Sequence, residues 1–436
     1  MDQAKPSLFH DQQNNLKRGH AFILIGLLCI IVLSSINMGS EQFIGPQGWG
    51  YVLGGAAGTG NNNLLGTLNQ DLSHNRRLTP GSTAEPTLTP QQYINLIEQH
   101  MTLDQKLGQM LIAQFDGPTY SFDLSTMISQ YNVGAVLLYA ENGNIVSKEQ
   151  LKGLTQQMQS NSSLPLAIAI DQEGGTVDRL KSLDGPHPSA TAIGATSDPA
   201  KAFAAGKQDA KDLSFYGINL NLAPVVDVRR VYNPQLYLRT YGNNAELVTR
   251  MAAAYLQGLQ QSGKVLGTLK HFPGLGDVDA DPHNSVPFLN ASRSDLEAID
   301  WAPYRALIKQ GDVYSILVTH EIVSEIDNTR PSTLSYQIVT GILREELGFQ
   351  GVIITDSLTM VGVTAYYTST QATVLVIEAG SDLLMGASTP QDVATMIEGI
   401  HQAISAGNIR MQRIDDSVRR ILMLKYQMGL IRIPHP

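Results

Sequence analysis

From about residue 90 onward the chain alternates short apolar, β-branched runs with stretches of helical periodicity. The runs are QMLIAQF at 109–115, VGAVLLYA at 133–140, PLAIAID at 165–171 and INLNLAPVVDV at 218–228. VLGTLKHF at 265–272, VYSILVTHEI at 313–322, GVIITDSL at 351–358 and SDLLMGAS at 381–388 complete the series. Continuous apolar strands separated by helices indicate a parallel sheet covered on both faces. Eight of them within about 340 residues predict an α/β fold, a (β/α)8 TIM-type barrel, with an open doubly wound sheet as the alternative. Thr89-Pro90 reads as an N-cap followed by Pro at the first helical position, and Thr102-x-x-Gln105 as a capping box. The folded domain is therefore expected over residues 91–436.

The N-terminal portion follows a different pattern. Residues 21–38, AFILIGLLCIIVLSSINM, are uncharged and just long enough to cross a bilayer as a helix. Lys17 and Arg18 stand immediately before them. Positive charge on that flank predicts a cytoplasmic segment at 1–20 and export of everything downstream. Small residues suited to signal cleavage are sparse between Ser34 and Ser40, which favours an uncleaved single-pass anchor over a secreted product. Residues 39–90 are rich in Gly, Asn, Thr, Ser and Pro and offer little apolar surface to bury, so they read as a flexible linker. About 50 flexible residues give an end-to-end distance of roughly 40 Å, enough to hold a domain clear of a membrane.

Composition narrows the chemistry. Of 436 residues, 43% are apolar and 16% charged, enough for a core and against wholesale disorder. The net charge is -9 and no basic run occurs, which argues against a nucleic-acid partner. A single cysteine, Cys29, excludes an internal disulfide framework, a Cys-based zinc site and an iron–sulfur cluster. No G-x-x-x-x-G-K-[ST], no G-x-G-x-x-G after a strand and no G-x-S-x-G occurs, so nucleotide cofactors and serine hydrolysis lose support.

Polar residues cluster at the ends of the apolar runs: Asp171, Asp227, Lys270, His271, His320 and Asp356. In a barrel those ends converge on one mouth, where catalytic residues gather. Asp227 by itself reads equally well as a helix cap or loop contact. After Lys270-His271 comes a Gly/Pro-containing loop bearing Asp277, Asp279, Asp281 and His283. The Asp281-x-His283 spacing lets a carboxylate hold an imidazole in one tautomer and raise its basicity, as proton transfer requires. His271 is better suited to hydrogen-bonding a ligand. His271, His283 and His320 with neighbouring Asp residues form an alternative divalent-metal set. Neither an H-x-H pair at a first strand nor H-E-x-x-H occurs, so no metal and no other cofactor is expected. Asp356 on a rigid strand can act as a nucleophile toward an anomeric carbon, whose oxocarbenium-like transition state needs a negative charge nearby. In Asp171-Gln-Glu-Gly-Gly-Thr-Val-Asp-Arg179, the first acid and the last Arg are candidates to grip sugar hydroxyls.

Residues 91–432 resemble glycoside hydrolase family three, and within it the bacterial β-N-acetylglucosaminidases that act on cell-wall fragments. The resemblance runs through Met101-Thr-Leu-Asp-Gln-Lys-Leu-Gly-Gln-Met110, Ile170-Asp-Gln-Glu-Gly-Gly175, Leu222-Ala-Pro-Val-Val-Asp227, Arg239-Thr-Tyr-Gly242 and Lys270-His-Phe-Pro-Gly274. It continues in Ile342-Leu-Arg-Glu-Glu-Leu-Gly-Phe-Gln-Gly-Val-Ile-Ile-Thr-Asp356. It implies a retaining double displacement in which Asp356 forms a glycosyl-enzyme and His283, oriented by Asp281, serves as acid/base. It also implies that Asp171, Arg179, Arg239, Lys270 and His271 bind the non-reducing-end sugar. The expected activity is release of terminal N-acetylglucosamine from cell-wall-type glycans by a monomer. An inactive sugar-binding ectodomain and a β-glucosidase or other exo-glycosidase are the alternatives, and a neutral imidazole as acid/base also admits phosphorolysis. Three positions depart from the family pattern: Leu275 replaces a frequent His, Pro282 a usual Ser, and Thr176 a frequent Arg.

Overall fold

A computed structural model of the chain describes residues 64–77, 88–278 and 286–434. The expected cytoplasmic segment and anchor, residues 1–38, lie outside the described residues, and so do Asp281 and His283. Among the described residues no helix is long and apolar enough to cross a membrane.

Eight parallel strands close into a barrel, and each falls within one of the eight apolar runs. They are β1 (Leu111–Ala113), β2 (Ala135–Leu138), β3 (Ala167–Ile170), β4 (Leu220–Asn221), β5 (Leu266–Phe272), β6 (Ser315–Val318), β7 (Val352–Ser357) and β8 (Leu383–Ala387). The expected barrel thus forms and the open doubly wound alternative does not, because Leu111 pairs with Leu384 and joins the two edges. Every residue of β2, β3, β5, β6 and β8 is buried, as strands covered on both faces require.

Two breaks in register fall at the strand ends that carry polar residues. Pairing of β5 with β6 slips between Leu269 and Phe272, and pairing of β7 with β8 slips between Ile354 and Ser357. Irregularities of this kind re-aim side chains near active sites. They bracket Lys270-His271 and Asp356 respectively.

Helix α1 (Leu64–Arg77) stands inside the stretch read as linker. Its Leu64, Leu65 and Leu68 pack against the domain core, and the Tyr93 hydroxyl donates to Asn69 Oδ1 at 2.7 Å. Leucines at that spacing make one apolar helix face, which the barrel covers; an isolated helix of this length would be marginal. Helix α2 (Pro90–Gln99) opens with Thr89 as N-cap in a complete capping box, as its Thr-Pro start predicts. Helices α3 (Pro199–Phe215) and α4 (Ala245–Gln260), which flank β4, meet through Gly206 and Gly258. A Cβ on either would lie 2.1 Å from a backbone oxygen of the other helix, Tyr255 O or Phe203 O.

Candidate active site

The site is built where the strands end. Beyond β3, Asp171 leads into a small antiparallel pair, Gln172–Gly174 with Val177–Asp178. Gly174 and Gly175 turn it with φ of 77° and 63°. A Cβ at Gly174 would stand 2.3 Å from Pro188 O, so the two glycines let this hairpin lie directly on the following segment. Asp178 fastens its base: the Gln172 amide donates to Oδ1 at 2.8 Å and the His187 backbone N–H to Oδ2 at 2.7 Å.

Glu173 on this hairpin is the hub of the site. Arg239 grips it with two parallel bonds, Nε at 2.7 Å and Nη2 at 2.9 Å, and Lys270 Nζ lies 2.7 Å from Oε1. Lys270 also donates to Asp171. The Glu173 side chain is only 1% exposed, so these charges meet away from bulk water. Burial alone raises a carboxyl pKa, but the charges of Arg239 and Lys270 outweigh it and hold Glu173 far below the ordinary range. Lys270 answers reciprocally: burial pushes it down, while Asp171 and Glu173 hold it above its usual value. A fixed ammonium and a fixed guanidinium therefore sit at the mouth beside the partly accessible carboxylate of Asp171.

His271 follows Lys270 through a cis peptide and turns its Nδ1 to Asp227 Oδ2 at 2.7 Å. Its Nε2 lies 3.2 Å from Arg239 Nη2. Asp227 is fully buried and also accepts the backbone N–H of Leu275 at 2.8 Å. One carboxylate thus orients the imidazole and secures the start of the next loop.

Asp356 comes from the end of β7. Burial raises its pKa, but the charges of His320 and His271, the Ser357 N–H at 2.8 Å and Lys270 lower it further, so it stays below the ordinary carboxylate value. It is ionised at neutral pH, the state a nucleophile needs. His320 steadies this strand end by donating from Nε2 to the Ser357 carbonyl at 2.9 Å, while its Nδ1 is 2.6 Å from Thr333 Oγ1.

The structure thus brings Asp171, Arg239, Lys270 and His271 into one network beside Asp356. Arg179 is held one strand further round: it pairs with Glu141 at 2.5 Å and lies over the Tyr139 ring, 4.2 Å from its centroid. Thr176 is exposed, with its hydroxyl 3.4 Å from Tyr237 O. Leu275 is buried and contributes its backbone N–H, a contact indifferent to side-chain identity. Glu173 is the residue that sequence reasoning missed. It stands two residues after Asp171 in an already suspect motif, but a strand pattern does not reveal that Arg239 and Lys270 converge on it. Asp227, readable as a mere cap, proves to be the partner of His271. Among the described residues no group of three His, Cys, Asp or Glu side chains is arranged to hold a metal ion.

A parallel eight-stranded barrel with acids, a lysine and a histidine at its C-terminal mouth fits a sugar-processing enzyme, and a family model settles the class. The description "Glycosyl hydrolase family 3 N terminal domain" matches residues 102–424, and the chain belongs to that family. Among its relatives, Beta-hexosaminidase A of Pseudoalteromonas piscicida is 33% identical over 375 residues, 74% of this chain and 61% of that protein. An uncharacterized secreted glycosyl hydrolase of Arthroderma benhamiae is 33% identical over 332 residues, 74% of this chain and 93% of the relative. A family 3 β-N-acetylglucosaminidase from Paenibacillus superposes with a TM-score of 0.72 at 34% identity, covering 76% of this chain and 63% of the other. The chain therefore spans somewhat under two thirds of the length of two of these three proteins.

Proposed function

We propose that this chain is an exo-acting, retaining β-N-acetylglucosaminidase that removes terminal non-reducing N-acetylglucosamine from cell-wall-type glycans. The observation that carries the reading is the pairing of an ionised Asp356 with the closed Asp171–Lys270–Glu173–Arg239–His271 network at one mouth. The names of the Pseudoalteromonas and Paenibacillus relatives support the choice of sugar.

In this reading Asp171, Lys270, His271 and Arg239 hold the hydroxyls of the terminal sugar, with Arg179 at the edge. The donors are fixed before substrate arrives, so little reorganisation accompanies the reaction. Asp356 attacks the anomeric carbon while His283, oriented by Asp281, protonates the departing oxygen. The same imidazole then takes a proton from water, which attacks the glycosyl-enzyme and frees Asp356. Residues 21–38 anchor the enzyme with its barrel, residues 91–436, outside the cytoplasm. The word "secreted" in the name of the Arthroderma relative agrees with export.

The test is hydrolysis of aryl β-N-acetylglucosaminide against aryl β-glucoside, beside Asp356→Ala and His283→Ala, with and without phosphate and a chelator. The expected result is preference for the acetamido sugar, lost in both variants and indifferent to chelator. Undiminished turnover by Asp356→Ala rejects the mechanism. Sugar binding without turnover by the unaltered chain favours an inactive binding ectodomain, and preference for glucoside favours a β-glucosidase.

A further inference from the structure

The end of the barrel opposite the mouth carries an unbalanced cluster of charge. Asp382, immediately before β8, is fully buried and meets three guanidiniums: Arg344 Nη2, Arg420 Nη1 at 3.0 Å and Arg413 Nη1 at 3.4 Å. It also accepts the Ile353 N–H of β7 at 3.0 Å and the Ser417 hydroxyl at 2.6 Å, so both of its oxygens are fully engaged. Arg344 donates further to the carbonyls of Phe349 and Gly351, and Arg413 to those of Ile377 and Ser381, which satisfies these two within the fold. Arg420, on α5 (Met411–Gln427), differs. Apart from its Nη1 contact with Asp382, its guanidinium has no partner among the described residues, which leaves Nε and Nη2 open as a pair. Arg239 uses that same pair to hold Glu173 at 2.7 and 2.9 Å.

The surplus is not cancelled by its neighbours. Arg419 is taken by Glu98 at 3.2 Å and Asp416 at 2.9 Å, and Lys106 by Glu98 and by Asp415 at 2.7 Å. The two sets together hold five cations against four carboxylates, and the excess falls around Asp382, three to one. Burial, with Arg420 and Arg413 close by and Asp382 opposing them, draws the Arg344 guanidinium down to about 10, the direction that a shortage of anions produces. Arg420 lines a groove of about 480 Å³ between α5, the start of α2 and the turns that enter β6 and β7. Tyr314 and Gln427 line the same groove, with Gln91 and Gln350 adding further amides. Asp416 stands there too, its Oδ1 occupied by Arg419 and by Gln412 Nε2 at 2.8 Å.

We infer that this groove is a binding site for a phosphate group, free or as an ester, held by Nε and Nη2 of Arg420 with Tyr314 and the glutamine amides around it. Two parallel N–H donors on one guanidinium fit two oxygens of an oxyanion. The neutral donors nearby exceed what a two-oxygen carboxylate can accept and suit phosphate, which offers more acceptor oxygens. An anion here offsets the excess charge around Asp382. Asp382 is bonded to Ile353 of β7, so occupancy braces the base of the strand whose other end carries Asp356. The groove and the mouth lie at opposite ends of the barrel, and the inference stands apart from the glycosidase reading.

The experiment is scanning calorimetry of the full chain in inorganic phosphate, and separately in glycerophosphoglycerol, against chloride at equal ionic strength. A Kd on the order of 1 mM makes about 20 mM phosphate raise Tm by about 3 °C. Arg420→Gln should abolish the rise, and Arg420→Lys, which keeps the charge without the fork, should retain less than half of it. Tyr314→Phe combined with Gln427→Ala leaves Arg420 and Asp382 untouched and should also reduce the rise by half or more. Arg250→Gln, which alters a half-exposed arginine on α4, should leave it unchanged. A response to inorganic phosphate alone identifies a free ion as the occupant, and a response to the diester identifies an ester such as a lipid headgroup. No rise with either compound, or a rise that persists in Arg420→Gln, overturns the site. Neither result touches the glycosidase reading, which stands or falls on turnover.

Discussion

Replacing Glu173 by Gln tests whether this carboxylate is the hub of the site. The change keeps shape and one acceptor oxygen but removes the charge that Arg239 meets at 2.7 and 2.9 Å and Lys270 at 2.7 Å. Hydrogen bonds between charged partners contribute about 1.5–3 kcal/mol each, so the three contacts amount to roughly 6 kcal/mol gross. The amide oxygen retains part, and Asp171 still partners Lys270. A net loss of about 3 kcal/mol remains, at the lower edge of what breaking a buried ion pair costs. For a domain of this size that lowers Tm by about 6 °C. Because Lys270 and Arg239 lose their fixed positions, kcat/KM on aryl β-N-acetylglucosaminide should fall about a hundredfold, mostly in KM. Scanning calorimetry and steady-state kinetics on the same preparation read both effects. A variant with unaltered Tm and KM would refute the hub.

Other parts of the molecule give further expected outcomes. Asp227→Asn leaves the His271 imidazole without its ionised partner and should reduce kcat/KM about tenfold or more while Tm drops by only a few degrees; equal activity would show that Asp227 is merely a loop contact. Lys425 is fully buried with Gln109 Oε1 at 2.6 Å, and burial pushes its pKa down to about 7. Since the unfolded ammonium titrates near 10.5, folding must release its proton between those values, and stability from this group grows as pH rises from 7 to 10.5. Lys425→Met should therefore gain most in Tm at or below pH 7, with the gain narrowing toward pH 10; a pH-independent difference refutes it. His187 is pushed up to about 9 by its hydrogen bond to Asp178, against burial and with help from Asp209 and Asp212. Its stabilisation is complete below its ordinary 6.5 and lost as pH rises through 9, so the Tm gap between the unaltered chain and His187→Gln should shrink over that window. A constant gap counts against a protonated His187.

The cluster around His187 also explains how the hairpin bearing Asp171 and Glu173 is supported from behind. His187 Nδ1 is 3.1 Å from Asp178, and its Nε2 faces Asp212 at 3.3 Å and Asp209 at 3.6 Å. Tyr255 donates to Asp209 at 2.6 Å, and Asn221 donates to Tyr255 at 3.1 Å and to Gln172 O at 2.8 Å. A continuous polar chain thus runs from α3 through β4 to the hairpin. Three of its members, His187, Asp209 and Tyr255, line a cavity of about 40 Å³ together with Glu173 and Arg239.

What the sequence alone determined is the architecture and the set of polar residues that its strand ends carry. Eight apolar runs became eight barrel strands because burial on both faces writes itself as uninterrupted hydrophobicity, a local signal. Asp171, Lys270, His271 and Asp356 were legible because a barrel forces every strand end to one mouth, whatever its distance along the chain. Partnership was not legible. Glu173 joins Arg239, 66 residues away, and Asp227 joins His271, 44 away, through hydrogen bonds whose existence depends on strand order, two register slips and the turn at Gly174-Gly175. Helix α1 escaped for the same reason: its few leucines are too sparse to mark a folded segment until the barrel surface that buries them exists. Composition and periodicity report what each residue needs from its surroundings, and only the closed barrel decides which residue supplies it.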